Sequence, residues 1–395
     1  MEIPAVSVVV SLFNYEKYIG ECLDSLLAQT FQNFEVIVVD DCSTDNSVAV
    51  VESYAPQFGG RLTLAKLKKN SGGGGEPRNK GLAFSRGEYV FFMDADDVLI
   101  PNGLQEMYTL AKNFNADVVY CEKYFMSTGV GAEFAKNIQI ATTRTQLPPF
   151  VDRPTLETNN LAERIYKMFA LNYWMTPWLR LVQRNLLIDN DIKFDSLIAS
   201  NDVGWTFKVM FCSKRFLRVP NPYYVRRIHE KSVSFRRRTP AEIIHKWMDR
   251  TIRSLKNMDS FMRGLDFFQN NPDYRCVVLF SSIRQDFDCI LKECGELQPF
   301  EVYEIFLQKF GKYLGEHDVL VAILCAYINA QNKALKESEE RLKEFNSFFE
   351  QANQQIVALD KVNREQKAYI AELENFVLAS QQRIAELENA LKGRE

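Results

Sequence analysis

The sequence predicts an α/β fold with a Rossmann-like, mostly parallel sheet, followed by an α-helical domain and a coiled-coil tail. Three observations predict it. Short apolar, β-branched runs alternate with helix-period segments over roughly the first 120 residues, the pattern of βα units. Two of those runs end abruptly in carboxylates: Phe34 to Val39 in Asp40 and Asp41, and Tyr89 to Met93 in Asp94, Asp96 and Asp97. Beyond Ala330 the composition shifts to Glu, Lys, Gln, Asn and Ala, without proline.

The elements follow in order. Val6 to Val10 is the first strand, and Tyr18 to Leu27 a helix with Tyr18, Cys22 and Leu26 on one face. Phe34 to Val39 is the second strand. Ser43 or Thr44 can cap the next helix, Asp45 to Tyr54. Leu62 to Leu67 is the third strand, and Pro77 sits where a helix to Ser85 can start. Tyr89 to Met93 is too short for a helix and reads as a buried strand. Pro101 opens a helix to about Asn113, and Asp117 to Cys121 is another strand. Residues 129–154 lack periodicity and read as loop. Leu161 to Leu171 is helical, with Leu161, Ile165, Met168 and Phe169 on one face. Ligands of such sheets bind at the carboxyl ends of the strands, so both acidic clusters fall on one rim.

Charge at the end of a buried strand is costly unless a cation or strong donors compensate it. In an extended segment Asp94 and Asp96 point the same way. Two hard oxygen ligands there suit Mg²⁺ or Mn²⁺ already held by a phosphate. The alternative is a solvated acidic turn.

Apolar content of 46% and charged content of 25% are those of a soluble globular protein. A net charge of −3 gives no electrostatic case for nucleic acid. Met1-Glu-Ile-Pro lacks a secretory n-region and h-region, and Val319 to Ile328 is too short to span a bilayer. The eight cysteines show no zinc spacing, so reduced thiols in a cytoplasmic protein are expected. Gly72 to Gly81 is glycine-rich but lacks the G-K-[ST] ending of a Walker A loop. Asp41 to Glu52 partly matches a calcium loop, but its sixth position is Asn46 and a strand precedes it.

Taken together, Pro4 to Asn14, Cys22 to Phe31, Glu35 to Asp45, Arg78-Asn79 with Gly81, and Gly87 to Asp97 resemble family 2 glycosyltransferases, in order and at normal spacing. The resemblance is strong over roughly the first 120 residues and weaker to about residue 235; several motifs in register are more specific than any one. It implies the GT-A (nucleotide-diphospho-sugar transferase) fold and transfer of a sugar, most simply from a UDP-sugar, to a hydroxyl of a carbohydrate or lipid-linked glycan acceptor. The implied transfer is metal-dependent and inverting, in cell-surface polysaccharide or glycoconjugate synthesis. It also implies roles. Ser11 and Asn14 lie near the nucleotide, Asp41 accepts from the uracil N–H with Asp40 beside it, and Arg78 stands near the base or diphosphate. Asp94 and Asp96 serve the nucleotide sugar, and Asp94, Asp96 and Asp97 the metal, Mn²⁺ or Mg²⁺. Asp40 otherwise reads as a turn residue and Arg78 as a helix-surface arginine. The chain departs from the family at Ser11, where proline is common, and at Cys42, where glycine is common.

Trp178 to Leu187 and Ile192 to Phe194 resemble the segment that crosses beneath the acceptor site. An acidic pair commonly follows in relatives, its second member the base. Here it is Asn201-Asp202, so Asp202 alone can serve. Either residue can equally be a helix N-cap, and the two readings are compatible. Pro222 to Ser234 resembles the family's closing segment, with His229 where some relatives supply a further metal ligand. Arg226, Arg227, Lys231 and Arg236 to Arg238 form a basic stretch. It suits a solvated face, a diphosphate, or peripheral contact with an anionic membrane.

The expected domains are 1–238, the transferase (halves 1–121 and 122–238), 239–330, helical, and 331–395, a coiled-coil homo-oligomerisation helix. Thr239-Pro240 marks the first boundary, and Ile243, Ile244, Trp247, Ile252, Leu255 and Met258 repeat at helical spacing. In the tail, Leu335, Leu342, Phe349, Ile356, Asn363, Ile370, Val377, Ile384 and Leu391 recur every seventh residue, which predicts a parallel oligomer, simplest as a dimer. The rival functional class is a catalytically silent nucleotide-sugar-binding scaffold working through this helix; Asp41, Asp96 and Asp202 speak against it. A nucleotidyltransferase would need a glycine-rich first loop, where Val10 to Asn14 stands instead.

Overall fold

The computed structural model describes residues 3–141, 151–170, 173–196, 201–229, 253–275 and 277–279, and further on 338, 340, 343, 347 and 350. The chain divides into two compact units, Met1–Lys309 and Phe310–Glu395. All elements named below lie in the first.

Strand β1 (Val6–Leu12), helix α1 (Ile19–Leu27), β2 (Phe34–Asp40), α2 (Ser47–Tyr54), β3 (Leu62–Lys66), α3 (Gly75–Phe84) and β4 (Tyr89–Asp94) alternate as the hydrophobic pattern predicts. β1, β2 and β4 are buried almost throughout, as strands covered on both faces must be. α1 buries Ile19, Cys22, Leu23 and Leu26. α3 lies close on β1: a Cβ at Gly81 would stand 2.2 Å from Val9 Cγ1, so only glycine fits. The expected cap of α2 is corrected. The helix starts at Ser47, whose N–H donates to Asp45 Oδ1 at 3.0 Å, and neither Ser43 nor Thr44 caps it.

Then come β5 (Val98–Leu99), α4 (Gly103–Asn113), β6 (Val118–Cys121), β7 (Phe125–Thr128), α5 (Gly131–Lys136), β8 (Gln139–Ile140), β9 (Thr155–Leu156), α6 (Leu161–Ala170), β10 (Arg180–Gln183), α7 (Arg184–Asp189), α8 (Asn201–Cys212), β11 (Phe216–Val219) and β12 (Tyr224–Ile228). The stretch expected to be loop therefore holds α5 and β8. Both are too short for periodicity to reveal.

The large sheet has the order β3-β2-β1-β4-β10-β6-β11-β9. β3, β2, β1 and β4 are mutually parallel, as are β6 and β11; β10 is antiparallel to both its neighbours and β9 to β11. A smaller sheet, β5-β12-β7-β8, covers one end. The chain winds outward from β1 through β2 to β3, then returns to β1's other side as β4. β1 and β4 thus flank the topological switch point, where sheets of this kind bind ligands.

Beyond β12, helix α9 (253–263) and α10 (Asp266–Asn270) contribute Met258, Met262 and Phe268 to the same core as the sheet. The described part of the expected helical domain thus packs on the body that holds the sheet. Ile243, Ile244, Trp247, Lys231 and Arg236 to Arg238 lie outside the described residues, as do all members of the heptad series from Leu335 to Leu391. Ser338, Glu340, Lys343, Ser347 and Glu350 are helical and exposed. Among the described residues no helix is long and apolar enough to cross a membrane.

A buried ionic network ties β6, β9, α6 and β11 together. Arg218 donates to Glu122 Oε1 at 2.5 Å and to Glu157 Oε1 at 2.9 Å, and Lys167 reaches Glu157 Oε2 at 3.1 Å. Burial works to raise the Glu157 carboxyl, but hydrogen bonds from Arg218 and Lys167 outweigh it and hold it below the ordinary glutamate value. Glu157 therefore contributes stability above pH 4.5 that is lost as pH falls through its folded value. Glu157→Gln is expected to lose roughly 1.5–3 kcal/mol at pH 7. In urea titrations its deficit against the wild type should shrink on acidification below pH 4.5.

Candidate active site

The carboxyl ends of β1, β2 and β4 meet the amino ends of α3 and α8. β1 and β4 are in register, Ser11 opposite Asp94, and Ser11 Oγ donates to Asp94 Oδ1 at 3.3 Å. Between Asp94 and Asp202 lies Arg78, buried on the first turns of α3. Its Nη2 donates to Asp94 Oδ1 at 2.7 Å, and its Nη1 to Asp202 Oδ1 at 2.8 Å and Asn201 Oδ1 at 3.2 Å. The ring of Phe194 lies 5.3 Å beneath the guanidinium. Burial opposes the Arg78 charge, but Asp202 and Asp94 more than restore it. The Asp202 carboxyl is raised above the usual aspartate value by burial, with Arg78 opposing. About 31% of the Asp202 side chain is exposed.

The expectation that Asp94 and Asp96 face one way is corrected. The strand ends at Asp94, and a turn follows, closed by Asp97 N–H donating to Asp94 O at 3.1 Å. The turn sends the three carboxylates in different directions. Asp94 faces Arg78. Asp96 Oδ2 lies 2.9 Å from His229 Nε2. Asp97 is buried and accepts from the Tyr224 hydroxyl and the Arg227 N–H, each at 2.7 Å. Burial, then Asp96 and Asp94, push the Asp97 carboxyl well up. Among the described residues no three His, Cys, Asp or Glu side chains converge on one point. Of the four expected ligands, Asp96 and His229 are the two whose side chains meet. Asp97, its oxygens already engaged, acts as the anchor of β12.

His229 is packed for a fixed role. It stacks on Tyr18 at 4.8 Å and meets Tyr15 edge-on at 5.9 Å, and its buried Nδ1 has no partner among the described residues. Carboxylate oxygen and imidazole nitrogen suit Mn²⁺, but two ligands do not make a cage; a cation here needs phosphate oxygens to complete its shell. Arg227 secures the approach. It donates to Asp96 O at 2.7 Å, to Glu21 Oε2 at 2.8 Å and to Gly129 O, and lies 3.8 Å over Phe134.

On the nucleotide side the outcome is mixed. Asp40 takes the Ser43 N–H at 3.1 Å, the turn role. Asp41 accepts from Ser71 N at 2.7 Å and Ser71 Oγ at 2.8 Å, so both oxygens are covered by the glycine-rich loop. Asn14 stitches two loops: its Oδ1 accepts from Thr44 N at 2.7 Å and its N–H donates to Ser43 Oγ at 3.0 Å. Asn14 and Cys42 have φ of 54° and 62°, left-handed backbone that explains why relatives use glycine at the second. Two residues were missed from the sequence. Phe13, 41% exposed, presents a ring on this rim; an aromatic just after a buried strand was the available signal. Asn79, named only as part of the Arg78-Asn79 motif and given no role there, makes two 2.8 Å side-chain hydrogen bonds to the Phe194 backbone.

An open α/β sheet with an acidic strand end at its switch point and a small covering sheet is the architecture of nucleotide-diphospho-sugar transferases. Residues 7–172 match the family model described as Glycosyl transferase family 2. The chain is 28% identical over 229 residues to the uncharacterized glycosyltransferase YibD of Escherichia coli, covering 58% of this chain and 63% of that protein. It is 33% identical over 212 residues to the poly(ribitol-phosphate) beta-N-acetylglucosaminyltransferase TarS of Staphylococcus aureus, covering 53% of this chain and 33% of that one. It thus spans less than two thirds of these relatives. The fold is shared with the crystal structure of S. aureus TarS 1-349 in complex with UDP-GlcNAc, at TM-score 0.59 and 24% identity, over 83% of this chain and 88% of that chain.

Arg78 is the only bridge between Asp94 and Asp202 among the described ion pairs. Arg78→Met keeps the stem but leaves two carboxylates facing each other. A loss of roughly 1–3 kcal/mol is expected once their partial exposure is allowed for. Urea denaturation at pH 7 checks this; unchanged stability would mean the bridge is incidental.

Proposed function

We propose that this protein transfers a sugar from a UDP-sugar to a hydroxyl of a glycan acceptor, with inversion at the anomeric carbon. The observation that carries the reading is the Asp94–Arg78–Asp202 bridge, which holds a partly exposed carboxylate beside the switch point. The acceptor oxygen attacks the anomeric carbon opposite the departing diphosphate. Its proton goes to Asp202 as the C–O bond forms, and UDP leaves with the electron pair of the broken glycosyl bond. One displacement inverts the centre. Phe13 offers a stacking face for the base, and Ser11 and Asp94 border the ribose.

Asp96 and His229 are the residues that would hold a divalent cation, together with the diphosphate. Such a cation supplies Lewis-acid stabilisation of the charge on the departing phosphate. Arg227 and Asp97 keep β12, and with it His229, in place against Asp96. The UDP preference draws support from the likeness to S. aureus TarS 1-349, whose crystal structure is a complex with UDP-GlcNAc. The silent-scaffold reading would leave an arginine-held carboxylate at the switch point without a task.

A screen of nucleotide sugars for Mn²⁺-dependent UDP release tests the activity. Asp202→Asn, which retains the helix start, is expected to keep UDP affinity but lower transfer at least ~100-fold, in line with general-base contributions. Near-normal turnover on the true acceptor would show that the base lies elsewhere. Asp96→Ala should abolish the Mn²⁺ dependence of UDP binding in calorimetry while leaving the thermal midpoint intact. Unchanged affinity with Mn²⁺ present would refute the metal assignment.

A further inference from the structure

Helix α9 lies beyond the segment matched by the family model and belongs to no part of the reaction described above. It nevertheless reaches the support of the site. Asn257 Nδ2 donates to Asp195 Oδ1 at 3.0 Å, and Lys208 of α8 reaches the same oxygen at 3.4 Å. Asp195 is buried, and its Oδ2 has no partner among the described residues. A buried carboxylate in this state depends strongly on each remaining donor. Phe261 of α9 lies 5.6 Å under the Lys208 ammonium, and Ser254 of α9 is buried beside Gly204 of α8.

The segment carrying Asp195 packs on α3, on the Arg78 guanidinium and on α8. The Asp195 carbonyl packs on α3 so tightly that a Cβ at Gly75 would stand 2.5 Å from it. Phe194 is bound through its N–H and C=O to Asn79, the neighbour of Arg78, and its ring lies beneath the Arg78 guanidinium. The same ring stacks on Trp205 of α8 at 4.8 Å and meets Phe92 of β4 edge-on at 5.0 Å. Residues 194–195 therefore set the separation between α3, which carries Arg78, and α8, which carries Asp202. Asn257 and Lys208 in turn fix residues 194–195.

We infer that Asn257 is a positioning residue for Asp202, so that α9 is part of the catalytic unit. The inference rests on the assignment of Asp202 as base. On the proposed reading the base and ribose are held by Phe13, Ser11 and Asp94 and the diphosphate by the cation at Asp96 and His229, none of them members of the Asn257–Asp195–Lys208 cluster. Displacing α8 relative to α3 would therefore slow the chemical step and leave donor binding alone.

The test uses the full chain, with UDP release from UDP-GlcNAc in the presence of Mn²⁺ as the rate and calorimetric UDP binding as the affinity. Asn257→Ala, and the milder Asn257→Ser should the first fold poorly, are expected to lower kcat about 10- to 100-fold, the scale of a small misplacement of a catalytic group. KM and UDP affinity should stay within about 2-fold, far less than that misplacement scale. The exchange variant Asp195→Asn with Asn257→Asp, which restores a donor–acceptor pair, should recover much of the rate. Parallel losses of kcat, UDP affinity and thermal midpoint, without rescue, would overturn the inference in favour of a purely structural contact. A lowered rate in Asp202→Asn with wild-type turnover in both Asn257 variants would overturn it alone. Wild-type turnover in Asp202→Asn would remove the base assignment and the inference with it.

Discussion

The site depends on one guanidinium. Arg78 is buried, and a buried cation is tolerated only with partners of opposite charge in good geometry. Its two Nη atoms meet Asp94 and Asp202 at 2.7 and 2.8 Å. A lysine could offer a point charge there but not a planar fork spanning two carboxylates. The pair of contacts joins the end of β4 to the start of α8, elements contributed by different halves of the fold. The carboxylates in turn are kept apart by the arginine. Without it, like charges would meet across the switch point.

A second constraint acts on the opposite flank. Asp97 is sealed under Tyr224 and Arg227, and the Tyr224 hydroxyl also accepts from Asp94 N–H at 3.1 Å. The turn 94–97 is thus clamped from above by β12. That clamp brings His229 to Asp96. The acidic strand end thereby divides its tasks: one carboxylate for the arginine, one for the imidazole and one for the architecture.

How much of this was legible in the sequence follows from the range of the interactions. β1, β2 and β4 were legible because continuous burial leaves apolar runs bounded by charge. The approximate place of Asp202 was legible because the spacing of several motifs matched a family. The separate duties of Asp94, Asp96 and Asp97 were not, because a turn rather than an extended strand follows Asp94. Nor could spacing reveal that Asp41 is covered by Ser71, or that Asn14 clasps Thr44; both contacts span about thirty residues and depend on loop conformations with positive φ. β10, four residues long, runs antiparallel between β4 and β6. No local signal states a direction.

The reach of Arg227 has a consequence for how the chain comes to be made. Its partner Glu21 stands 206 residues earlier, and its N–H closes on Asp97 across 130 residues. At about 5–20 residues per second of synthesis, the acidic turn waits on the order of ten seconds for its clamp. The nascent N-terminal half can form its parallel strands in that interval, but with Asp97 unsheltered and the edge of β4 without β10. Such a half-built sheet offers exposed backbone donors and acceptors along one side. The last strand among the described residues is then also the one that clamps the acidic turn, so a chain released before residue 227 leaves Asp97 without the Arg227 N–H and Asp96 without His229.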